Sequence, residues 1–127
     1  DLHSENLVLG ADGEIAVIDF DDCGFGHYML DVATVLASMY RRGRDRPGAY
    51  RRFAHRYLGG YERERALPEA FGQLEAFLIM RDMVILNFVT HSRNPTVAEW
   101  GPGRARGIVD EMRRHLDGRP YPGALTR

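Results

Sequence analysis

The chain reads as a mainly α fold with one short β-hairpin near its N-terminal end, an α+β unit. Three observations predict it. Two β-prone runs, Leu7-Val8-Leu9 and Glu14-Ile15-Ala16-Val17-Ile18, flank the turn-forming residues Gly10-Ala11-Asp12-Gly13. From His27 onward the apolar residues recur at helical spacing in four successive segments. With 127 residues, 44% hydrophobic and 28% charged, the chain is long enough to bury a core as a single domain, 1–127. Within it, residues 1–26 form a loop and hairpin segment, 27–118 a helical subdomain and 119–127 an irregular tail.

The hairpin carries a geometric consequence. If Leu9 pairs near Glu14, Asn6 falls opposite roughly Val17, and Asp19 stands just past it at the same open end. Cross-strand neighbours sit about 5 Å apart and diagonal ones about 7–8 Å, so Asn6 and Asp19 can share one cation. The segment His27 to Arg42 is apolar nearly all round, which predicts a buried helix. Asp31 is its exception. A buried carboxylate without a partner is costly, so a partner is expected, such as backbone N–H groups of the preceding loop.

Arg41 to Asp45 makes a polar break, and Asp45 ahead of Pro47 reads as the start of the next helix. Tyr50, Phe53, Ala54, Tyr57, Leu58 and Tyr61 form its inner side, while Arg51, Arg52, His55 and Arg56 read as a solvated face. Leu67-Pro68-Glu69 opens the longest helix, which Asn94-Pro95 ends near Arg93, because the residue before Pro resists the helical region. Thr96-Val97-Ala98-Glu99 resembles a capping box, but Gly101-Pro102-Gly103 follows at once, so only a turn is expected there. The last helix covers about Arg104 to Asp117, with Ile108, Val109, Met112 and Leu116 inward and Gly118 as its stop.

Composition excludes several function classes. A formal net charge of −1 argues against a nucleic-acid partner, since phosphate contacts demand an excess of positive charge. No apolar run approaches the ~20 residues that span a bilayer, and no signal-peptide pattern opens the chain, so no membrane partner is expected. The single Cys23 cannot form an internal disulfide, which fits a reducing cytoplasm. Behind Asp21 and Asp22 its thiolate is disfavoured, and it reads as structural. All 17 Lys-plus-Arg side chains are Arg.

The run Asp1-Leu2-His3-Ser4-Glu5-Asn6-Leu7-Val8-Leu9, followed by Val17-Ile18-Asp19-Phe20, resembles the catalytic and metal-binding core of the aminoglycoside phosphotransferase and choline kinase family. An Asp, an Asn five residues on and a further Asp after a short hairpin all match that pattern. The resemblance continues through Gly26-His27-Tyr28-Met29-Leu30-Asp31-Val32-Ala33, about a quarter of the chain by motif. It implies the C-terminal lobe of a protein-kinase-like fold, with residues 1–26 as catalytic loop, hairpin and metal-binding segment and 27–118 as a helical substrate-binding subdomain.

The same resemblance implies roles. Asp1 accepts or orients the proton of the attacking substrate hydroxyl, and Asn6 and Asp19 ligate Mg²⁺ on the phosphates of ATP. His3 supports the loop by hydrogen bonding and Asp31 anchors the region. Read from the residues alone, Asp21 and Asp22 extend the acidic cluster either as contacts to metal or to a cationic substrate or as a solvated loop. Phosphoryl transfer rests on positioning and charge neutralisation, which a carboxylate base and hard oxygen ligands supply.

The implied activity is ATP-dependent transfer of the γ-phosphate to a hydroxyl of an aminoglycoside, choline-like amino alcohol, homoserine or sugar. The nucleotide-gripping parts of the family pattern, a glycine-rich loop and a strand Lys, are not among these residues. They are expected in an N-terminal lobe ahead of Asp1, so the 127 residues are expected to be inactive alone. An unpartnered lobe exposes apolar surface, which makes a homo-oligomer a candidate state. The alternative is a non-catalytic helical assembly module or pseudokinase-like fragment.

Overall fold

The computed structural model describes residues 2–21, 23–46 and 48–125. It forms two compact units, Asp1–Gly72 and Gln73–Arg127.

The first unit opens with a 3-10 turn, Ser4–Asn6, and the antiparallel strands β1 (Leu7–Leu9) and β2 (Ile15–Val17). The turn between the strands closes through Gly13 N–H to the Gly10 carbonyl at 3.0 Å, and Gly13 takes the left-handed φ of 86° that glycine tolerates. Asp12 Oδ1 accepts from the Glu14 amide at 3.1 Å, an Asx-type contact that fixes the turn. The pairing is Leu7 with Val17 and Leu9 with Ile15. This shifts the expected register by one residue, so Asn6 stands opposite Ile18 rather than Val17. All six strand residues are exposed.

Helix α1 spans Tyr28–Gly43 and is capped by His27, whose Nδ1 accepts from the Met29 amide at 3.2 Å. Met29, Val32, Ala33, Leu36 and Ala37 are buried at the i, i+3, i+4, i+7, i+8 spacing of one helix face. Full burial of a Met, Val or Leu side chain contributes roughly 1.5–3 kcal/mol. The expectation that this helix is buried all round, with Asp31 inside, is corrected here: Asp31 is exposed. It follows Met29 by two residues, about 200° around the helix, which turns it away from the stripe. A carboxylate in the first turn also complements the helix dipole.

Helix α2 runs Ala49–Glu64. It starts four residues later than expected, after Gly48 at φ 74°. Its N-terminal end packs on α1 through Tyr50, whose ring meets Tyr40 edge-on at 5.2 Å. Arg51, Arg52, His55 and Arg56 are exposed, whereas Ala54 is the fully buried residue of the other side.

The second unit is a helix pair, α3 (Leu74–His91) and α4 (Pro95–Leu116). A 3-10 segment, Glu69–Gln73, precedes α3, and α3 ends two residues before the expected stop near Arg93. The turn expected at Gly101-Pro102-Gly103 is corrected: α4 passes straight through it. Asn94 Oδ1 caps the helix by accepting from Thr96 N–H at 2.9 Å, and Pro95 occupies the first turn, where its missing N–H costs nothing. Gly101 is buried at the approach to α3, where a Cβ would come 3.3 Å from Val89 Cβ. Close packing thus holds a helix that local propensity opposes. Leu116, expected inward, is 85% exposed in the last turn.

The tail beyond Gly118 (φ 83°) is irregular but anchored. Tyr121 is buried, its hydroxyl donates to Asp82 Oδ2 at 2.8 Å, and its amide donates to Glu75 Oε1 at 2.7 Å. Arg104 of α4 donates to the other oxygen of Asp82, so one buried carboxylate of α3 ties both α4 and the tail. Burial, reinforced by the adjacent Asp82, pushes the Tyr121 hydroxyl far above the usual tyrosine range.

No helix among the described residues is long and apolar enough to cross a membrane. Tyr121→Phe is expected to cost about 1–2 kcal/mol by removing the buried hydrogen bond to Asp82. Asp82→Ala removes the partner of both the Tyr121 hydroxyl and Arg104, leaving Arg104 to Glu111 at 3.7 Å, and is expected to cost about 3 kcal/mol. Guanidinium unfolding followed by the fluorescence of Trp100, the sole Trp of the chain, checks both; a smaller loss for Asp82→Ala than for Tyr121→Phe would contradict the clasp.

Candidate active site

Backbone pairing assembles the candidate site. Beyond the strands proper, Ile18 N–H donates to the Asn6 carbonyl at 2.9 Å, extending the ladder by one rung. Asn6 enters β1 and Asp19 leaves β2, so the two residues stand at the same open end of the hairpin, as the sequence suggests. Asn6 is buried and Asp19 exposed. Asp1 and Asp22, singled out as base and as candidate contact, lie outside the described residues.

The loop ahead of β1 is a tight turn. Asn6 N–H donates to the His3 carbonyl at 3.0 Å, and His3 Nδ1 accepts from the Glu5 amide at 3.2 Å. His3 therefore caps the turn that ends at Asn6. Two longer contacts reach α1: Ser4 Oγ lies 3.5 Å from Ser38 Oγ, and Arg42 Nη2 lies 3.4 Å from Glu5 Oε1. Ser38 is buried, whereas the Arg42–Glu5 pair is largely exposed and holds the loop weakly. Sequence reasoning left Ser4, Glu5, Ser38 and Arg42 without a site role. Partners 34 and 37 residues apart leave no local signal.

Asp19 is the one non-glycine residue among the described residues with positive φ, 64°. Asp tolerates this region better than most residues, through its short polar side chain, yet the conformation still costs roughly 1–2 kcal/mol. Asp21 and Cys23 are exposed on the loop that follows, where the Cys23 amide donates to the Phe20 carbonyl at 3.1 Å. Cys23 is thus a surface thiol, not the structural residue expected. The Asp31 carboxylate acts on Tyr57 of α2. Burial first, then Asp31 and Tyr61, push the Tyr57 hydroxyl up to about 12.

Asn6 and Asp19 are hard oxygen donors, the type that magnesium prefers. Among the described residues no group of three or more His, Cys, Asp or Glu gathers as a metal cluster. A cation between Asn6 and Asp19 would take its remaining oxygens from phosphate and water, the coordination common for magnesium.

The family model described as the phosphotransferase enzyme family (APH) matches residues 1–67, more than half of the chain. The match spans the loop, the hairpin, α1 and α2. No curated protein and no solved structure matches the chain.

The left-handed backbone at Asp19 makes a stability prediction separate from any activity. Asp19→Gly is expected to leave denaturant stability unchanged or raise it by at most about 1 kcal/mol, and Asp19→Val to lower it by roughly 1–3 kcal/mol. Urea titrations of the three proteins by circular dichroism decide the point. Equal stabilities for the Gly and Val variants would show that position 19 carries no strain.

Proposed function

The chain belongs to the phosphotransferase enzyme family, and we propose that it supplies the catalytic and metal-binding half of an ATP-dependent kinase acting on a hydroxyl of a small molecule. Aminoglycosides, choline-like amino alcohols, homoserine and sugars are the acceptor classes in view. The observation that carries the proposal is the extended hairpin: Ile18 N–H on the Asn6 carbonyl keeps Asn6 and Asp19 at one end, five and eighteen residues after Asp1.

In this reading Asp1 takes the proton of the acceptor hydroxyl as its oxygen bonds to the γ-phosphorus. The bond from that phosphorus to the bridging oxygen breaks, and ADP leaves with the electron pair. Asn6 and Asp19 would hold Mg²⁺, which when bound neutralises phosphate charge. His3 keeps the turn closed, and the contacts of Ser4 and Glu5 to α1 limit how far it can shift. Placement within fractions of an ångström matters because phosphoryl transfer draws most of its acceleration from positioning and fixed charge.

Recognition of the nucleotide falls in this reading to a partner lobe. The exposed apolar side chains of the hairpin and the following loop, among them Val17, Ile18, Phe20 and Phe25, support such a covering partner. An unbridged, exposed Cys23 suits a reducing cytoplasm.

The test is ATP turnover by the full-length protein against a panel of hydroxyl compounds, with and without magnesium. Asp19→Ala is expected to lower phosphoryl transfer at least about 100-fold, since even outer-shell partners of a metal site are worth 10–100-fold. Turnover retained in Asp19→Ala, with the fold intact, would sink the proposal.

A further inference from the structure

Where α1 gives way to α2, the surface holds a cleft of about 410 Å³. Met39, Tyr50 and Phe53 supply its apolar walls, and the guanidinium-bearing Arg42 and Arg46 line it with them. The cleft lies wholly within the first compact unit. Gly43 lines it beside Tyr50.

Its charge is one-sided. No carboxylate lines it. Residues 41–56 contain seven Arg and a single acidic residue, Asp45. Among the described residues Arg46 makes no ion pair, and Arg42 reaches only Glu5, at 3.4 Å across an exposed pair that a better anion readily displaces. Two guanidinium groups offer two planar donor forks, more than one carboxylate can use but matched to the charge and three oxygens of a phosphomonoester. The walls are preformed, since Tyr40 holds the Tyr50 ring edge-on at 5.2 Å and Phe53 stacks on Tyr57 at 5.9 Å. A flat apolar body is what such rings accept.

We infer that this cleft binds a small organic phosphomonoester, with its phosphate between Arg42 and Arg46 and its apolar body against Tyr50 and Phe53. The site is separate from the hairpin end that carries Asn6 and Asp19, and the inference does not depend on the proposed kinase reaction. It does touch the catalytic loop, because Arg42 is the residue that meets Glu5, next to Asn6. An anion that recruits Arg42 withdraws it from Glu5.

Phenyl phosphate is the probe, titrated into the full-length protein by calorimetry and by amide chemical shifts. The expected result is saturable binding with shifts concentrated at Gly43, Gly48, Ala49 and Tyr50. Arg46→Gln is expected to weaken it about tenfold and Arg42→Gln/Arg46→Gln further, the usual cost of losing charge-assisted hydrogen bonds. Inorganic phosphate should bind at least about tenfold more weakly for want of the apolar body. Asp19→Ala should leave phenyl phosphate binding unchanged, which separates this site from the hairpin end. Binding that survives the double Arg substitution, disappears with Asp19→Ala, or matches inorganic phosphate would overturn the assignment. The shift map of the unsubstituted protein decides the location even if a variant fails to fold.

Discussion

A single backbone hydrogen bond, from the Ile18 amide to the Asn6 carbonyl, sets the geometry of the candidate site. Three-residue strands pair weakly on their own, and all six of their residues are exposed, so little side-chain packing fixes the register. The added rung and the Gly10–Gly13 turn close the ladder at both ends. A slip by one residue would exchange the faces of every side chain and carry Asn6 away from Asp19. The left-handed backbone at Asp19 follows directly from this closure. The chain leaves the ladder abruptly there, and the strain is local to Asp19, the residue proposed as a metal ligand.

Helix α1 holds the turn ahead of that hairpin. Its apolar stripe is buried in the core, while the buried Ser38 and the exposed Arg42 meet the loop. One helix therefore serves packing and positioning with different turns of its length. In the second unit the same economy falls to Asp82, whose two oxygens each take a donor from a different segment. A carboxylate placed in this way suits specificity of arrangement more than net stability, since burying it is itself costly.

Much of this was legible in the sequence. The hairpin, the helical character of everything after residue 27 and the stop at Gly118 follow from turn chemistry and periodicity, and Asn6 and Asp19 share an end because strand pairing makes them do so. The misreadings have common causes. Gly101-Pro102-Gly103 signals a break by local propensity, but the close approach of α4 to Val89 outweighs it. Asp31 looked buried because its neighbours are apolar, although a helix stripe buries only some of them. Tyr121 sits among prolines and glycines that read as tail, and its contacts lie 39 and 46 residues away, at Asp82 and Glu75. Long-range polar contacts of that kind, like those of Ser38 and Arg42, depend on three-dimensional proximity that no local window contains.

The hairpin has a further consequence for the protein in concentrated solution. Among the described residues the sheet has two strands, so each keeps one edge without a strand partner. Here those edges carry Val8, Leu9, Ile15 and Val17, all exposed and none charged. Neither proline nor lysine interrupts them, the usual devices that blunt an open edge. Strand addition by a second molecule is therefore the association this surface invites, and its solubility limit should be set by how well whatever covers the hairpin competes with another hairpin.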